Sequence, residues 1–499
     1  MSIEFSLTNY TILGIYLVAM VYIGYRFAGR QHTADDYFLA GRAMPWLPVA
    51  MSMYASVTSA VTFMGLPGMA YADNVSLIVV SVVSPVVAPF LIFLFYPFYR
   101  RMRVTTSYEY ILLRFGPRAR WAVSSLFLLA RLGWMGTVIY APSLALSAVT
   151  GIPLALSIVL MGALATAYTV LGGLAAVLWT DMAQFIILVI GAVWIAVTLT
   201  AASPDGVAGI MAIAHDSGKL DIFEWSMDWS KMSIYIVSFS FFLKMMQEYG
   251  TDQVTVQRLM AVRTDRGVVK AIVFNAVTDF LLVALLLFIG LGLFAFYAAR
   301  PEIAPDALSS DQMLPFFIMR QMPDGVSGLL IAAIFAAAMS SMDSGINSIT
   351  TVVMHDFVEP LRKNRVTPRN DVRDARWLTL GLGTLATVMA FYASTLDHIV
   401  KAFATFMSLF SAPVLAIFLL GMLSRRASFS GWLVGVVVAV PVTWLAQQSD
   451  TLHWVYYFPV CFLITLTLGW LASFGFRNVA PVDPRATLYG RSALESQPH

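Results

Sequence analysis

Charge is what this chain has least of. Asp, Glu, Lys and Arg make up 12% of its 499 residues, where an ordinary soluble domain carries roughly 25%. So few charges cannot cover the surface of a water-soluble protein of this length. Cysteine is nearly absent too. The one cysteine, Cys461, lies in an apolar run, which excludes an intramolecular disulfide and a cysteine metal site. The six histidines are scattered without ligand spacing, so no metal centre other than alkali ions is expected. No phosphate-binding GxxxxGK[ST] is present, which excludes an ATP motor in this chain; HExxH and any nucleophile–base constellation are missing as well. No enzyme is expected, and the energy source must be a gradient or a partner. The N-terminal MSIEFSLTNY is acidic and has no basic n-region, so the first apolar run is expected to remain as a helix rather than be cleaved.

What is there is apolar: 59% of residues, with a mean hydropathy of +0.77. Long apolar runs recur from end to end, the mark of a polytopic all-α membrane protein. At roughly 20 residues per crossing, about thirteen spans are expected. Their cores fall near 7–27, 44–72, 76–99, 120–149, 153–171, 176–200, 232–256, 269–298, 325–353, 377–396, 399–423, 429–446 and 453–475. The odd count puts the two ends on opposite sides. Loops 26–42, 100–120, 257–270, 361–376 and 424–426, with the tail from Arg477, hold most of the Lys and Arg, as in YRRMR (99–103) and RFGPRAR (114–120). The opposite loops hold Lys219, Lys231, Arg300, Arg320 and Lys401. The positive-inside rule then makes the C-terminus cytoplasmic and the N-terminus external. Loops 202–231 and 300–324 are the long external ones. The polar, proline-bearing tail 478–499 is expected to be disordered.

Several polar residues do not belong in lipid. Within one span, AAAMSSMDSG (336–345) follows LLIAAIF. On a helix Ala337, Ser340, Ser341 and Ser344 share one stripe, with Asp343 at its edge. Small side chains, hydroxyls and one carboxylate suit an oxygen cage for a dehydrated cation. The alternative is tight helix packing with serines bonded to their own backbone. Asp343 favours the cage, because an acid there needs a cation. YASVTSAVTFMGLPG (54–68) puts small and β-branched polar residues at mid-span, then Gly and Pro. That suits an interrupted helix whose free carbonyls bind ions or substrate, or an ordinary helix with satisfied hydroxyls. Asp181 closes GGLAAVLWTD (172–181) about one turn into a helix, where an interfacial acid would also be favoured by the dipole. Lys244 and Glu248 lie at i, i+4 in FFLKMMQEYGTDQ (241–253), placed to pair. Arg131, Lys244, Gln247 and Asp279 are further candidate substrate contacts, with a structural ion pair as the alternative for Arg131 and Asp279.

RQHTADDYFLAGRAMPW (30–46), TSYEYILLRFG (106–116), IYAPSLALSAVTG (139–151), YTVLGGLAAVLWTDMAQ (168–184), GTDQVTVQR (250–258) and AAIFAAAMSSMDSGINSITTVVMHD (332–356) together resemble the sodium:solute symporter family over roughly 8–475. Its members include bacterial sialic acid and sugar transporters and the animal iodide, monocarboxylate and multivitamin transporters. The resemblance implies a LeuT-type core of two inverted five-helix repeats, with its first and sixth core helices broken. It divides the chain into an N-terminal helix and loop (1–43), a core (44–423, repeats 44–201 and 202–423), two extra helices (424–476) and a cytoplasmic tail (477–499). It also implies a main sodium site at Ala55, Thr58, Ala337, Ser340 and Ser341, and a second one at Asp181, Ser340, Asp343 and Ser344. Asp343 departs from the serine of the sialic acid transporters and adds a negative, protonatable ligand.

Substrate positions carried over from relatives are Ser59, Thr62, Leu77, Ser81, Trp134, Met245 and Glu248. The sialic acid transporters place arginine where Trp134 stands and glutamine where Ser81 stands. That departure, with IYAPSLAL, leans toward a small anion or carboxylate. The expected function is sodium-coupled uptake of a small organic solute, a carboxylate or sugar-acid-like anion, across the inner membrane by alternating access, with one or two sodium ions and no organic cofactor. The partners expected are the solute and the bilayer, with no nucleic acid; the chain is expected to act as a monomer. Rival readings are a proton-coupled symporter using Asp343 or Glu248, a transporter-like sensor, and a membrane enzyme, which lacks a catalytic cluster.

Overall fold

The computed structural model describes residues 6–27, 31–221, 233–305, 308–362, 368–395, 399–448, 452–476 and 483–488. Among the described residues the regular structure is helical, apart from one isolated bridge between Met44 and Val262. The main helices are α1 (Leu7–Phe27), α2 (Trp46–Val57), α3 (Ala60–Ala72), α4 (Ile78–Phe90), α5 (Pro117–Thr150), α6 (Leu154–Ala202) and α7 (Ile234–Gly250). They continue with α8 (Gln253–Ala261), α9 (Asp265–Ala298), α10 (Val326–Val352), α11 (Pro368–Ala393), α12 (Ile399–Leu423), α13 (Phe429–Gln448) and α14 (Tyr457–Ser473). Among the described residues eight helices are long and apolar enough to cross a membrane, or nine if the bent pair α2–α3 is one span.

Two breaks shape the interior. Between α2 and α3 the chain turns by 61°, with Thr58 and Ser59 in extended backbone (ψ 97° and 170°). The interrupted alternative is thus the one adopted. Between α7 and α8 the helix stops at Gly250 and restarts where the Asp252 carboxylate accepts from the Val254 amide at 2.9 Å. That is an N-cap, and GTDQ supplies it. A third interruption, in α6, is glycine's alone. Gly173 has φ +57° and ψ −159°, and a Cβ there would lie 2.6 Å from the Tyr37 carbonyl oxygen. The expected spans 153–171 and 176–200 are the two limbs of this one kinked helix.

Exposure separates rim from centre. Val18 on α1, Val197 on α6, Val437 on α13 and Trp470 on α14 are exposed, as a lipid-facing surface requires. By contrast α10 is buried along nearly its whole length. Helix α1 anchors its start: the Asn9 side-chain oxygen accepts from the amides of Gly325 (2.8 Å) and Gly328 (3.0 Å). At the other end of the chain, the expectation of an unstructured tail fails for 483–488. The Tyr110 hydroxyl donates to the Ala486 carbonyl (3.0 Å) and the Asp483 amide to the Leu113 carbonyl (2.9 Å). A polar, proline-bearing composition says nothing about such a specific dock. Lys231 and residues 489–499 lie outside the described residues.

Candidate functional site

The last carbonyls of any helix have no partner within it. Breaking α2 in mid-protein therefore creates free acceptors where water is scarce. α10 runs past that break and answers them. The Ser340 hydroxyl donates to the Ala55 carbonyl at 2.7 Å, and the Ser341 hydroxyl to the Ser56 carbonyl at 3.1 Å. Both hydroxyls also lie near the Ala337 carbonyl, at 3.2 and 3.3 Å. Four of the five residues expected at the main site, Ala55, Ala337, Ser340 and Ser341, thus meet through oxygen contacts; Thr58 is buried at the break itself. Ser56 joins them unforeseen. All the meeting atoms are neutral oxygens, the donor set a dehydrated alkali cation takes.

One turn further along α10 the chemistry changes. Asp181, Asp343 and Ser344, expected together, do come together, all fully buried. Ser344 donates to Asp343 at 3.1 Å and lies 3.5 Å from Asp181. The Tyr168 hydroxyl donates to the other oxygen of Asp343 at 2.8 Å. What sequence reasoning missed is a resident cation. The Arg258 guanidinium, from α8, pairs with Asp181 at 3.1 Å and contacts the Ser344 hydroxyl. Arg258 also donates to the Ser52 hydroxyl (2.8 Å), which itself donates to Asp181 at 2.5 Å. Asp181 is therefore no first-turn interfacial acid: it lies about two turns beyond the Gly173 kink and is fully buried. The available signal was charge balance, since a buried acid calls for a cation and GTDQVTVQR ends in one. With two carboxylates and one guanidinium, the cluster carries one formal negative charge more than it balances. One oxygen of Asp181 has no hydrogen-bond partner.

The expected substrate residues are more dispersed. Arg131 forms a buried ion pair with Asp252 at 2.6 Å and stacks over Trp134 at 4.5 Å, so the ion-pair alternative holds for it. Ser81 donates to its own helix at Ile78 (2.6 Å). Leu77 packs in an apolar cluster with Val283 and Leu287. Ser59 and Met245 are buried; Thr62 and Glu248 are half-buried. Lys244 lies 5.5 Å from the Phe241 ring, within electrostatic reach of Glu248. Gln247 and Asp279 are buried, each with one side-chain oxygen unpartnered. Asp279 forms no ion pair among the described residues; Ser84 lies beside it, and the charge of Glu248 acts on it.

Comparison with known proteins gives this geometry its context. The profile of the sodium:solute symporter family matches residues 37–439. The chain is 33% identical to the sodium/sialic acid symporter of Aliivibrio fischeri over 481 residues, covering 95% of this chain and 94% of the relative. It is 28% identical to the bovine sodium-coupled monocarboxylate transporter 2 over 456 residues, 89% and 73% of the two chains (Bos taurus). Among solved structures, the substrate-bound outward-open state of a sodium-coupled sialic acid symporter superimposes with a TM-score of 0.90 at 29% identity, covering 96% of this chain and 100% of the other. A nucleobase-cation symporter in a closed conformation shares the fold alone, with a TM-score of 0.52 at 15% identity over 90% and 97% of the two chains. The chain belongs to the sodium:solute symporter family, and is a multi-pass membrane transporter that couples solute movement to sodium.

Proposed function

We propose that this symporter takes up a small organic acid, with sodium held where α10 crosses the broken helix. The observation that carries the reading is the meeting of Ser340 and Ser341 with the Ala55 and Ser56 carbonyls. A sodium ion held by Ala55, Thr58, Ala337, Ser340 and Ser341 would exchange hydroxyl–carbonyl bonds for ion–oxygen contacts. It would thereby tie the two elements, biasing the equilibrium between outward- and inward-open states. A second cation would sit on the Asp343–Ser344 side of the lower cluster, next to Ser340 and the unpartnered oxygen of Asp181. Arg258 already neutralises the rest of Asp181.

The same reading includes thirteen spans, an external N-terminus, a cytoplasmic C-terminus and residence in the inner membrane. It places two five-helix repeats within 44–423, split at 201, with 424–476 as added helices. The breaks at Thr58–Ser59 and Thr251–Asp252 fall at the first helix of each repeat and support that division. Ser59, Thr62, Leu77, Ser81, Trp134, Met245 and Glu248 remain the proposed solute contacts. The acidic substrates of the relatives support an acidic solute.

The test is transport in sealed proteoliposomes. An inward sodium gradient is expected to accumulate sialic acid or a short carboxylate, and potassium in its place to abolish accumulation. Accumulation driven by a pH gradient in sodium-free buffer would instead establish proton coupling through Asp343 or Glu248.

A further inference from the structure

The lower ion cluster balances most of its charge internally; the face of α9 does not. Asn275 and Asp279 lie four residues apart on that helix, so they share one face. Asn275 is 3% and Asp279 8% exposed, and one oxygen of each has no hydrogen-bond partner. Three other elements converge on the same face. From α7, Tyr249 lies beside the Asn275 side chain, and Glu248 adds a second negative charge within reach of Asp279. From α4, Ser84 lies beside Asp279. From α2, Tyr54 lies in the electrostatic field of Asp279. No cation among the described residues acts on Asp279, whereas Glu248 has Lys244 and Arg131 within reach.

Buried acceptors without donors cost free energy comparable to a lost hydrogen bond, and charged ones cost more. Two buried acceptor oxygens on this face lack donors, and their complement is a molecule that brings them. The broken helix pair α7–α8 and the broken α2 flank it, which is where secondary transporters of this architecture bind their cargo.

We infer that Asp279 and Asn275 form a specificity-determining subsite for hydrogen-bond donors carried by the solute. The cargo is then an acid bearing hydroxyl or ammonium groups, not a plain monocarboxylate. This deepens the proposed uptake of an acid and rests on it. A site that merely rejected anions would need no acceptors. A plain alkyl chain placed here leaves Asp279 desolvated and unpaired, so the subsite selects by penalty as well as by attraction.

Caproate, gluconate and ε-aminocaproate, matched in carbon number, separate the possibilities. Sialic acid serves as a fourth probe. Thermal stabilisation of the purified full chain is read in saturating sodium, for the wild type and for Asp279→Asn. A ligand bound by the native state raises the melting temperature by mass action. Gluconate or sialic acid outranking caproate identifies hydroxyl donors; ε-aminocaproate outranking caproate identifies an ammonium. In either case Asp279→Asn is expected to weaken the preferred probe by about tenfold or more, the effect of one charge-assisted hydrogen bond, with the sodium response unchanged. Three results overturn the inference: caproate binding as well as the donor-bearing acids, none of the donor-bearing acids binding, or an unchanged affinity in Asp279→Asn. The wild-type ranking decides even if the variant fails to fold. Loss of the sodium response itself would strike the symport reading instead.

Discussion

Two clusters sit one turn apart on α10, and they solve the problem of polar atoms in a membrane interior differently. The upper cluster, Ser340 and Ser341 against Ala55, Ser56 and Ala337, consists of neutral oxygens whose hydroxyls turn toward carbonyls. The lower cluster, Asp181, Asp343, Ser344, Ser52 and Tyr168, is charged and carries its own cation in Arg258. A neutral cage can gain and lose an ion while its hydroxyl oxygens turn between bonding carbonyls and facing the ion, so it suits cyclic binding. A guanidinium bound by several groups at once cannot leave, so the lower cluster works first as a clamp joining α2, α6, α8 and α10. The comparison teaches that proximity to an ion site and membership of it differ, and that the difference lies in which charges are already compensated.

The largest expected effect comes from breaking the clamp. Arg258→Met leaves two buried carboxylates without a cation and is predicted to destabilise the protein by about 3–5 kcal/mol. Thermal melting in detergent checks it. The double variant Asp181→Asn/Arg258→Met removes a charge of each sign and is expected to recover a large part of that loss. No recovery would mean Arg258 is held mainly by Ser52 and by the Val254 carbonyl, to which it donates at 2.7 Å, not by charge.

Next comes Tyr168→Phe. It deletes the 2.8 Å hydrogen bond to Asp343 at a predicted cost of about 1.5–3 kcal/mol, the range for a bond to a charged group. Asp343→Asn acts in the opposite sense. It removes the charge that Arg258 does not balance, so stability in sodium-free buffer is expected to rise or hold, while any second-ion component of the sodium titration disappears. A fall of more than about 2 kcal/mol would show that the negative charge is itself structural.

The smallest effect on stability, and the most specific on function, is expected in the upper cage. Ser341→Ala removes one neutral hydroxyl whose hydrogen bonds are worth about 1 kcal/mol. The fold should therefore survive with sodium affinity lowered about tenfold or more. If Ser341→Ala destabilised the protein as much as Arg258→Met does, the contrast between cage and clamp would collapse.

How much of this was legible in the sequence follows the same division. The cage residues lie on one helix stripe and at one suspicious stretch of small and β-branched residues, so local spacing exposes them. The break after Val57 also leaves a trace, because Thr58, Ser59 and the following Gly–Pro run disrupt an apolar span. The clamp leaves none in spacing. Its partners Ser52, Asp181, Arg258 and Ser344 come from four elements spread over the chain, and only the tertiary fold brings them into contact. Arg131 shows the same limit: its partner Asp252 is remote in sequence, and Asp252 also caps α8. The proposed inverted repeat is invisible to hydropathy, since two halves of opposite handedness would read as similar apolar runs. The docked segment 483–488 escaped notice because its hold, bonds between its own backbone groups and the Tyr110 hydroxyl and Leu113 carbonyl, is one that composition does not encode.

The most direct test of the central claim is a sodium titration of the melting temperature, for the wild type and Ser341→Ala side by side, with potassium as the control. The account predicts a selective sodium response in the wild type, displaced to about tenfold or higher concentration in Ser341→Ala, with nearly equal melting temperatures in potassium. Superimposable sodium curves for the two proteins would contradict it and remove sodium from the crossing of α10 with the broken helix.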